Sequence, residues 1–416
     1  MAPGRPRRPS SSSSHAPSNG ARRTFLRRPS SESALTDLRG LPEYLYQAYE
    51  RLPEFTAAPN HPLLVDAGSG HELTYSQFQS LAAVLATSML SRLAIGVGDT
   101  VALYSTPNID TPVVSVAAWL IGASVVAIPP ETNADELDFI ISRLHALRAL
   151  FVTRALLPAV VQVFAPRRTS LYQSPIVVVV DATIQVPTPP INVTLQDLYT
   201  PQPGEVPLER ASLTRNEAQG HIAVIYNIFT RNDIGQVVGV DLTHLSHDAV
   251  INNYNDSNLQ RQTPPSLLER RPLPLTYSVP RLHFAFYLHR IVFDIFCRGG
   301  RYLVSSAFDP AEFVVIVHYY QLEFAELVSA ELERLIAYLS TRDSNQRQIP
   351  SSSSGPGPGP LHNLSIPEML APLRFIYTPA YTPDQASSLS ELLPHVVLVR
   401  TRYGSYLEPP DQPRGS

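Results

Sequence analysis

His221-Ile-Ala-Val-Ile-Tyr-Asn-Ile228 runs without a break into Phe229-Thr-Arg-Asn-Asp-Ile-Gly-Gln-Val-Val-Gly-Val-Asp-Leu-Thr-His244. The first eight residues read as a buried strand. The sixteen that follow read as a glycine-bearing loop, and a helix is expected from about Leu245. Strand, loop and helix in that order place backbone N–H groups and a helix N-terminus where they can receive a phosphate.

Upstream of this stretch, apolar runs and helical stripes alternate. Thr74-Tyr-Ser-Gln77 is a capping box, and Phe78, Leu81, Ala82, Leu85 and Met89 then form one apolar stripe that ends at Gly96-Val-Gly-Asp99. Strands are expected at Val101–Tyr104, Val125–Ile128, Ala149–Thr153 and Ile176–Val180, with helices over Pro112–Ile121 and Ala134–Leu144. Downstream, a helix over His283–Arg298 precedes a strand at Tyr302–Val304 and a helix over Pro310–Tyr319. A strand at Phe324–Val328 and a helix over Ala330–Ser340 come next. Leu373–Thr378, Asp384–Leu392 and Val396–Val399 supply a last strand, helix and strand. Strand alternating with helix predicts an α/β fold of mostly parallel sheets covered by helices on both faces.

Composition bounds the rest. The 416 residues are 44% hydrophobic and 16% charged, enough for a large core and more than one lobe. With 40 prolines, many connections are stiff. The formal net charge of −4 divides unevenly: residues 1–40 carry +6 and the remainder −10, which argues against a nucleic-acid surface on the ordered part. The chain contains no lysine, so a lysine phosphate clamp, Schiff base or lysine nucleophile is excluded. Cys297 is the single cysteine, which excludes an intramolecular disulfide and is compatible with an intracellular, cytoplasmic location. Val113–Ile128 carries no charge but is too short to span a bilayer and is split by Gly122, so it reads as core.

Residues 1–40 are rich in Arg, Ser and Pro and are expected to be disordered. Arg7-Arg-Pro-Ser10 and Arg27-Arg-Pro-Ser30 repeat one pattern that suits a basophilic kinase at Ser10 and Ser30, against the plainer reading of a solvated basic tail. Residues 199–220 and 257–272 read as polar connections. Residues 342–361, with Ser351-Ser-Ser-Ser-Gly-Pro-Gly-Pro-Gly-Pro360, read as a flexible insert. The ordered domain is expected over 41–408 and a tail over 409–416.

Several landmarks between Leu41 and Glu408 are similar, in type and order, to the large N-terminal domain of the adenylate-forming (AMP-binding) enzymes, the acyl-CoA synthetase and 4-coumarate:CoA ligase family. They are Leu73-Thr-Tyr-Ser-Gln-Phe78, Leu120-Ile-Gly-Ala-Ser-Val-Val-Ala-Ile-Pro129, Leu273-Pro-Leu-Thr-Tyr277, Phe308-Asp-Pro-Ala-Glu312, Val328-Ser-Ala-Glu-Leu332 and Arg402-Tyr-Gly-Ser-Tyr-Leu-Glu408. Phe229–His244 has the length of the family's phosphate loop. Thr230, Gly235, Gly239, Val240, Thr243 and His244 agree with it. Arg231, Asn232, Asp233 and Ile234 replace Ser, Gly, Ser or Thr, and Thr; Val237 and Val238 replace Pro and Lys.

The resemblance implies ATP or AMP, Mg²⁺, a carboxylic acid and CoA as cofactors and substrates. It implies nucleotide contacts at Thr230, Arg231, Gly235, Gly239, Thr243, Tyr277, Tyr403 and Gly404, and a magnesium ligand at Glu408. The departures strike the reactive groups: two hydroxyls and a cation are lost and Asp233 adds repulsion, with Arg231 the one substitute cation. Tyr277 stands where the family has His and is expected to keep an aromatic wall. The chain stops at Ser416, where the family's small C-terminal domain would follow. The expectation is a diverged, truncated synthetase-like protein, weakly active or inactive. The alternatives are a working acid–CoA ligase completed by a missing lobe and a non-catalytic interaction protein regulated through its tail.

Three further groups have plain structural readings. His244 and His247, three apart near a helix start, suit capping and packing rather than a metal. Asp294 is expected to pair with Arg290 along one helix. Cys297 follows Ile295-Phe296 and reads as a core thiol. There is no Gly-x-Ser-x-Gly elbow and no Gly-x4-Gly-Lys-Ser/Thr loop to anchor a serine hydrolase or P-loop NTPase reading.

Overall fold

The computed structural model describes residues 40–57, 59–164, 175–181, 191–208, 221–232, 234–246, 249–250, 273–280, 287–343 and 364–400. The expected tail, most of the 342–361 insert, the 257–272 connection and the 402–408 motif lie outside the described residues.

In chain order the elements are α1 (Leu41–Glu50), α2 (Pro53–Ala57), β1 (Pro62–Asp66), β2 (Glu72–Thr74), α3 (Tyr75–Arg92), β3 (Thr100–Tyr104), α4 (Asp110–Leu120), β4 (Ser124–Ile128), α5 (Ala134–Ile141), β5 (Leu147–Val152), α6 (Leu157–Phe164), β6 (Ile176–Val179), β7 (Ile191–Thr194), α7 (Leu195–Tyr199), β8 (Ile222–Arg231) and β9 (Val237–Ser246). Then follow β10 (Leu275–Ser278), α8 (Tyr287–Arg298), β11 (Arg301–Val304), α9 (Pro310–Tyr320), β12 (Phe324–Glu326), α10 (Ser329–Asp343), α11 (Ile366–Met369), β13 (Phe375–Thr378), α12 (Pro383–Leu392) and β14 (Val397–Arg400).

They build two seven-stranded sheets, ordered β7-β6-β5-β3-β4-β8-β9 and β14-β13-β12-β10-β11-β1-β2. All pairings are parallel except β8 with β9 and β1 with β2. The apolar runs produce this directly. β3 and β4 are buried at every position, as strands covered on both faces must be. α4 is buried from Thr111 to Leu120, which accounts for the uncharged run as core. Trp119, within it, donates its indole N–H to the Ala223 carbonyl at 2.8 Å and so ties α4 to β8. α5 and α6 cover the other face, with Leu137, Ile140, Val160 and Phe164 packed on Ala102, Val126 and Leu150.

The expected capping box opens α3: the Gln77 side chain accepts from the Thr74 N–H at 2.8 Å, and Gln77 N–H donates back to Thr74 Oγ1 at 3.4 Å. Asp309 caps α9 in the same spirit, its Oδ1 accepting from Ala311 and Glu312 N–H, both at 2.9 Å.

Arg301, the first residue of β11, joins three strands at their N-terminal ends. Its Nε donates to the Pro62 carbonyl at 2.9 Å and its Nη1 to the Leu273 carbonyl at 3.4 Å, at the heads of β1 and β10. Burial pulls its guanidinium below the usual arginine value, with Glu72 and Tyr49 acting the other way.

One expectation is corrected here. No helix begins at Leu245: β9 continues through Ser246, paired with β8 as far as Ile222 opposite Ser246. The β-branched and aliphatic residues of Val237–Leu245 extend the ladder, and helical backbone is found at 249–250, where Ala249 N–H donates to Ser246 Oγ at 3.3 Å. His244 is therefore a strand residue, exposed and opposite Ile225. Asp294 pairs with Arg298 at 2.8 Å, one turn further along α8; the side chain of Arg290, its expected partner, lies outside what is described. Asp294 also accepts from Tyr302 Oη at 2.8 Å. Gly300 packs so closely that a Cβ there would collide with Asp294 Oδ2.

Candidate functional site

The decisive stretch forms a long antiparallel hairpin at one edge of its sheet. β8 pairs with β4 through Val224 and Ile225, and beyond them its ladder runs to β9. At its end, Thr230 faces Gly239 and Arg231 faces Val237. Val238, between the two, is the extra residue of a β-bulge and is 53% exposed. This is the position at which the resemblance puts a lysine. Gly239 sits at a close approach: a Cβ there would lie 3.3 Å from Thr230 Cβ, so Thr230 would have to give way slightly. Gly235 is required by its backbone, with φ +81°.

The turn's amide hydrogens are already committed. Asn232 Oδ1 accepts from Gln236 N–H at 2.8 Å and from Ile234 N–H at 3.2 Å. The Asn232 carbonyl accepts from Gly235 N–H at 2.8 Å, and Asn232 N–H donates to the Gln236 carbonyl at 2.9 Å. Val237 N–H donates to Glu136 Oε1, from the first turn of α5, at 3.2 Å. Four consecutive amides, 234 to 237, thus point at oxygens of the chain itself, and one of those oxygens belongs to a carboxylate. As it stands this turn does not fit a nucleotide phosphate.

Of the residues expected to contact nucleotide, the hairpin brings Thr230, Gly235 and Gly239 together at its tip, with the backbone of Arg231. Thr243 lies further down β9, opposite Tyr226. Tyr403, Gly404 and Glu408 fall outside the described residues. Tyr277 lies in the other sheet, on β10, and is 1% exposed. Its ring packs edge-on against Phe313 at 4.9 Å and Phe308 at 6.4 Å. Burial pushes its phenol well above the ordinary tyrosine value, opposed by a hydrogen bond with Ser305. The expected aromatic wall is therefore corrected: Tyr277 backs the core, and Phe308 is the ring that faces a cavity.

That cavity, about 270 Å³, opens where strands of both sheets reach their C-terminal ends. Ser105 follows β3 and Pro130 and Glu131 follow β4; Ser306 and Phe308 follow β11, and Arg334 comes from α10. The crevice beyond the carboxyl ends of parallel strands is the usual ligand position in such sheets. The Arg334 guanidinium lies 5.6 Å from the centre of the Phe308 ring, so the lining mixes apolar groups with one cation and two carboxylates, Glu131 and Glu331. Sequence reading missed this site. Its only signal was the recurrence of Ser, Pro or Phe immediately after an apolar run.

Among the described residues no cluster of three or more His, Cys, Asp or Glu is placed to hold a metal ion. No helix of the described residues is long and apolar enough to cross a membrane. Burial, with Asp294 second, pushes the Cys297 thiol far above the range of a nucleophile.

Comparison with known proteins adds to this geometry. Residues 54–226 match the family described as AMP-binding enzyme. A search of curated proteins finds no match. The fold is similar to the luciferase-like enzyme from the nonluminescent Zophobas morio mealworm, with a TM-score of 0.61 and 14% identity over 88% of this chain and 72% of that one. It is similar to a long-chain-fatty-acid-CoA ligase from Archaeoglobus fulgidus, with a TM-score of 0.61 and 16% identity over 86% of this chain and 63% of that one. A benzoate CoA ligase from Burkholderia xenovorans gives a TM-score of 0.59 and 12% identity over 88% and 61%. Within residues 54–226 the chain is thus similar to the AMP-binding enzymes, and its fold is that of the ligase and luciferase-like structures.

Proposed function

We propose that this acyl-CoA synthetase-like domain is weakly active or inactive in ATP-dependent carboxylate adenylation, and that its cavity still takes a small carboxylic acid. The single observation carrying this reading is the commitment of the Ile234, Gly235, Gln236 and Val237 amides to oxygens of the chain. Phosphoryl and adenylyl transfers depend on donors that are preorganised and vacant where negative charge gathers. Here those donors are spent, the bulge side chain at 238 is apolar, and the chain has no lysine to supply the cation. Losing one hydrogen bond to a charged group costs about 1.5–3 kcal/mol, or roughly one to two decades of rate when felt in the transition state.

Two measurements test the reading. ATP–pyrophosphate exchange by purified protein with a panel of aliphatic and aromatic carboxylic acids is expected to stay at background; sustained exchange with any acid overturns it. Calorimetry is expected to give no heat with ATP or AMP, with or without Mg²⁺, and a weak signal with an acid that seats against Phe308 and Arg334. In the same proposal Ser10 and Ser30 are acceptors for a basophilic kinase in the cytoplasm. Mass spectrometry after treatment with such a kinase is expected to find phosphate on both, and unmodified serines would remove that part.

A further inference from the structure

We infer that the cavity at the strand ends selects a small amino acid over a bare carboxylic acid, with Arg334 taking the carboxylate and Glu131 and Glu331 the ammonium. The inference deepens, and rests on, the reading of the cavity as an acid site. The charges of the lining decide the class. Arg334 brings one positive charge, and Glu131 and Glu331 bring two negative ones. A bare carboxylate entering there faces a net charge of its own sign, at closer range and with less screening than in water. A zwitterion meets an opposite charge at each end.

Hydrogen-bonding capacity points the same way. Pro107, Pro130 and Pro280 line the cavity and have no N–H to give. The Ser105 hydroxyl donates to the Thr106 carbonyl at 2.8 Å, so its proton is taken. Arg334 and Ser306 are the remaining side-chain donors of the lining, against two carboxylates that only accept. Glu331 is fixed at the head of α10, where its Oε2 accepts from Val328 N–H at 2.9 Å. A carboxylate needs donors and an ammonium needs acceptors; the lining is richer in acceptors.

Two buried tyrosines outside the lining sense the same field. Tyr104, the last residue of β3, is pushed up to about 12 by burial first and then by Glu131 and Glu136. Tyr277, behind Phe308, is pushed up by burial and, against its bond with Ser305, by Glu331, Glu312 and Asp309. The strand ends of both sheets are therefore negative where they bound the cavity. Arg334 is the one cation of the lining, set over the Phe308 ring. A ligand's carboxylate and its apolar side chain are thus received side by side, and its amino group meets the surrounding negative charge.

The test is calorimetry on the full chain with ligand pairs that differ only in the amino group: leucine against isocaproate, and phenylalanine against hydrocinnamate. The amino acid of each pair is expected to bind about tenfold more tightly, the scale of one added hydrogen bond between charged groups. That preference is expected to shrink as salt is raised. Glu131 and Arg334 are exposed, so E131Q and R334Q leave the core untouched. E131Q is expected to narrow the preference without weakening the bare acid, and R334Q to weaken both members of a pair. A bare acid that binds as tightly as its amino acid overturns the inference and leaves the acid-site reading standing. A preference that E131Q leaves unchanged overturns it too. Silence from both members of both pairs removes the acid-site reading together with the inference, so the two failures are distinguishable.

Discussion

β4 with its helix α4 and the β8–β9 turn belong to one sheet, yet they are constrained by opposite things. Every residue of β4 is buried, and α4 is buried along almost its whole length. At the turn, Ile234 is 77% and Val238 53% exposed. In the first region a change of one methylene is felt by close-packed neighbours. In the second, exposed side chains can be exchanged at little energetic cost. Gly235 answers there to a left-handed backbone and Gly239 sits at a close approach to Thr230, so both are tied to the geometry of the turn.

The sharpest way to break this comparison is Trp119→Ala. It empties a fully buried site and removes the indole bond to Ala223. A loss of about 3–5 kcal/mol in denaturant unfolding is expected; a loss below 1 kcal/mol would mean that the α4–β4 region is not the constrained one.

Next comes pH, at the base of the hairpin itself. Burial lowers His221 from 6.5 to about 4, with hydrogen bonds to the backbone of Ala123 and Gly122 opposing it. The folded state therefore binds fewer protons than the unfolded state between those values. The associated stability is complete above pH 6.5, is lost as pH falls toward 4, and is flat below. The shift corresponds to about 3 kcal/mol. Unfolding measured across that window should show the slope in the native chain and lose it in His221→Gln.

Gly300→Ala extends the comparison to the other sheet. The added methyl meets Asp294, and a loss of about 1–3 kcal/mol is expected from overpacking. Smallest is Val238→Lys at the exposed bulge, expected to move the unfolding midpoint by less than about 0.5 kcal/mol. A large destabilisation there would contradict the account of the turn as energetically free.

The contrast also explains what sequence could and could not disclose. β3, β4, β5 and β6 were legible because continuous aliphatic runs have few other uses, and α3 because Thr74 and Gln77 announce their own cap. The end of β9 was misread because Leu245-Ser246 suits a helix start equally well, and only the ladder to Ile222 decides it. β10 went unrecognised as a strand, with Pro274 immediately before it. At the turn, Asn232 three residues before Gly235 was a local sign of a tight turn. Nothing in the sequence could show its side-chain oxygen bridging two amides, or Glu136 reaching Val237 from another element. The cavity likewise exists only once two sheets, far apart in sequence, bring their strand ends together.

The all-arginine composition finds a structural use in Arg301. Its guanidinium grips the chain just before β10 on one side and β1 on the other, two points that lie more than 200 residues apart in sequence. A planar fork can hold two carbonyls in fixed directions, whereas a single ammonium on a flexible stem cannot hold both with the same geometry. Arg301 therefore works as an alignment pin. A one-residue slip of β11 would pull it from both carbonyls at once, so misregistered pairings of this sheet are penalised at the edge where the strands begin.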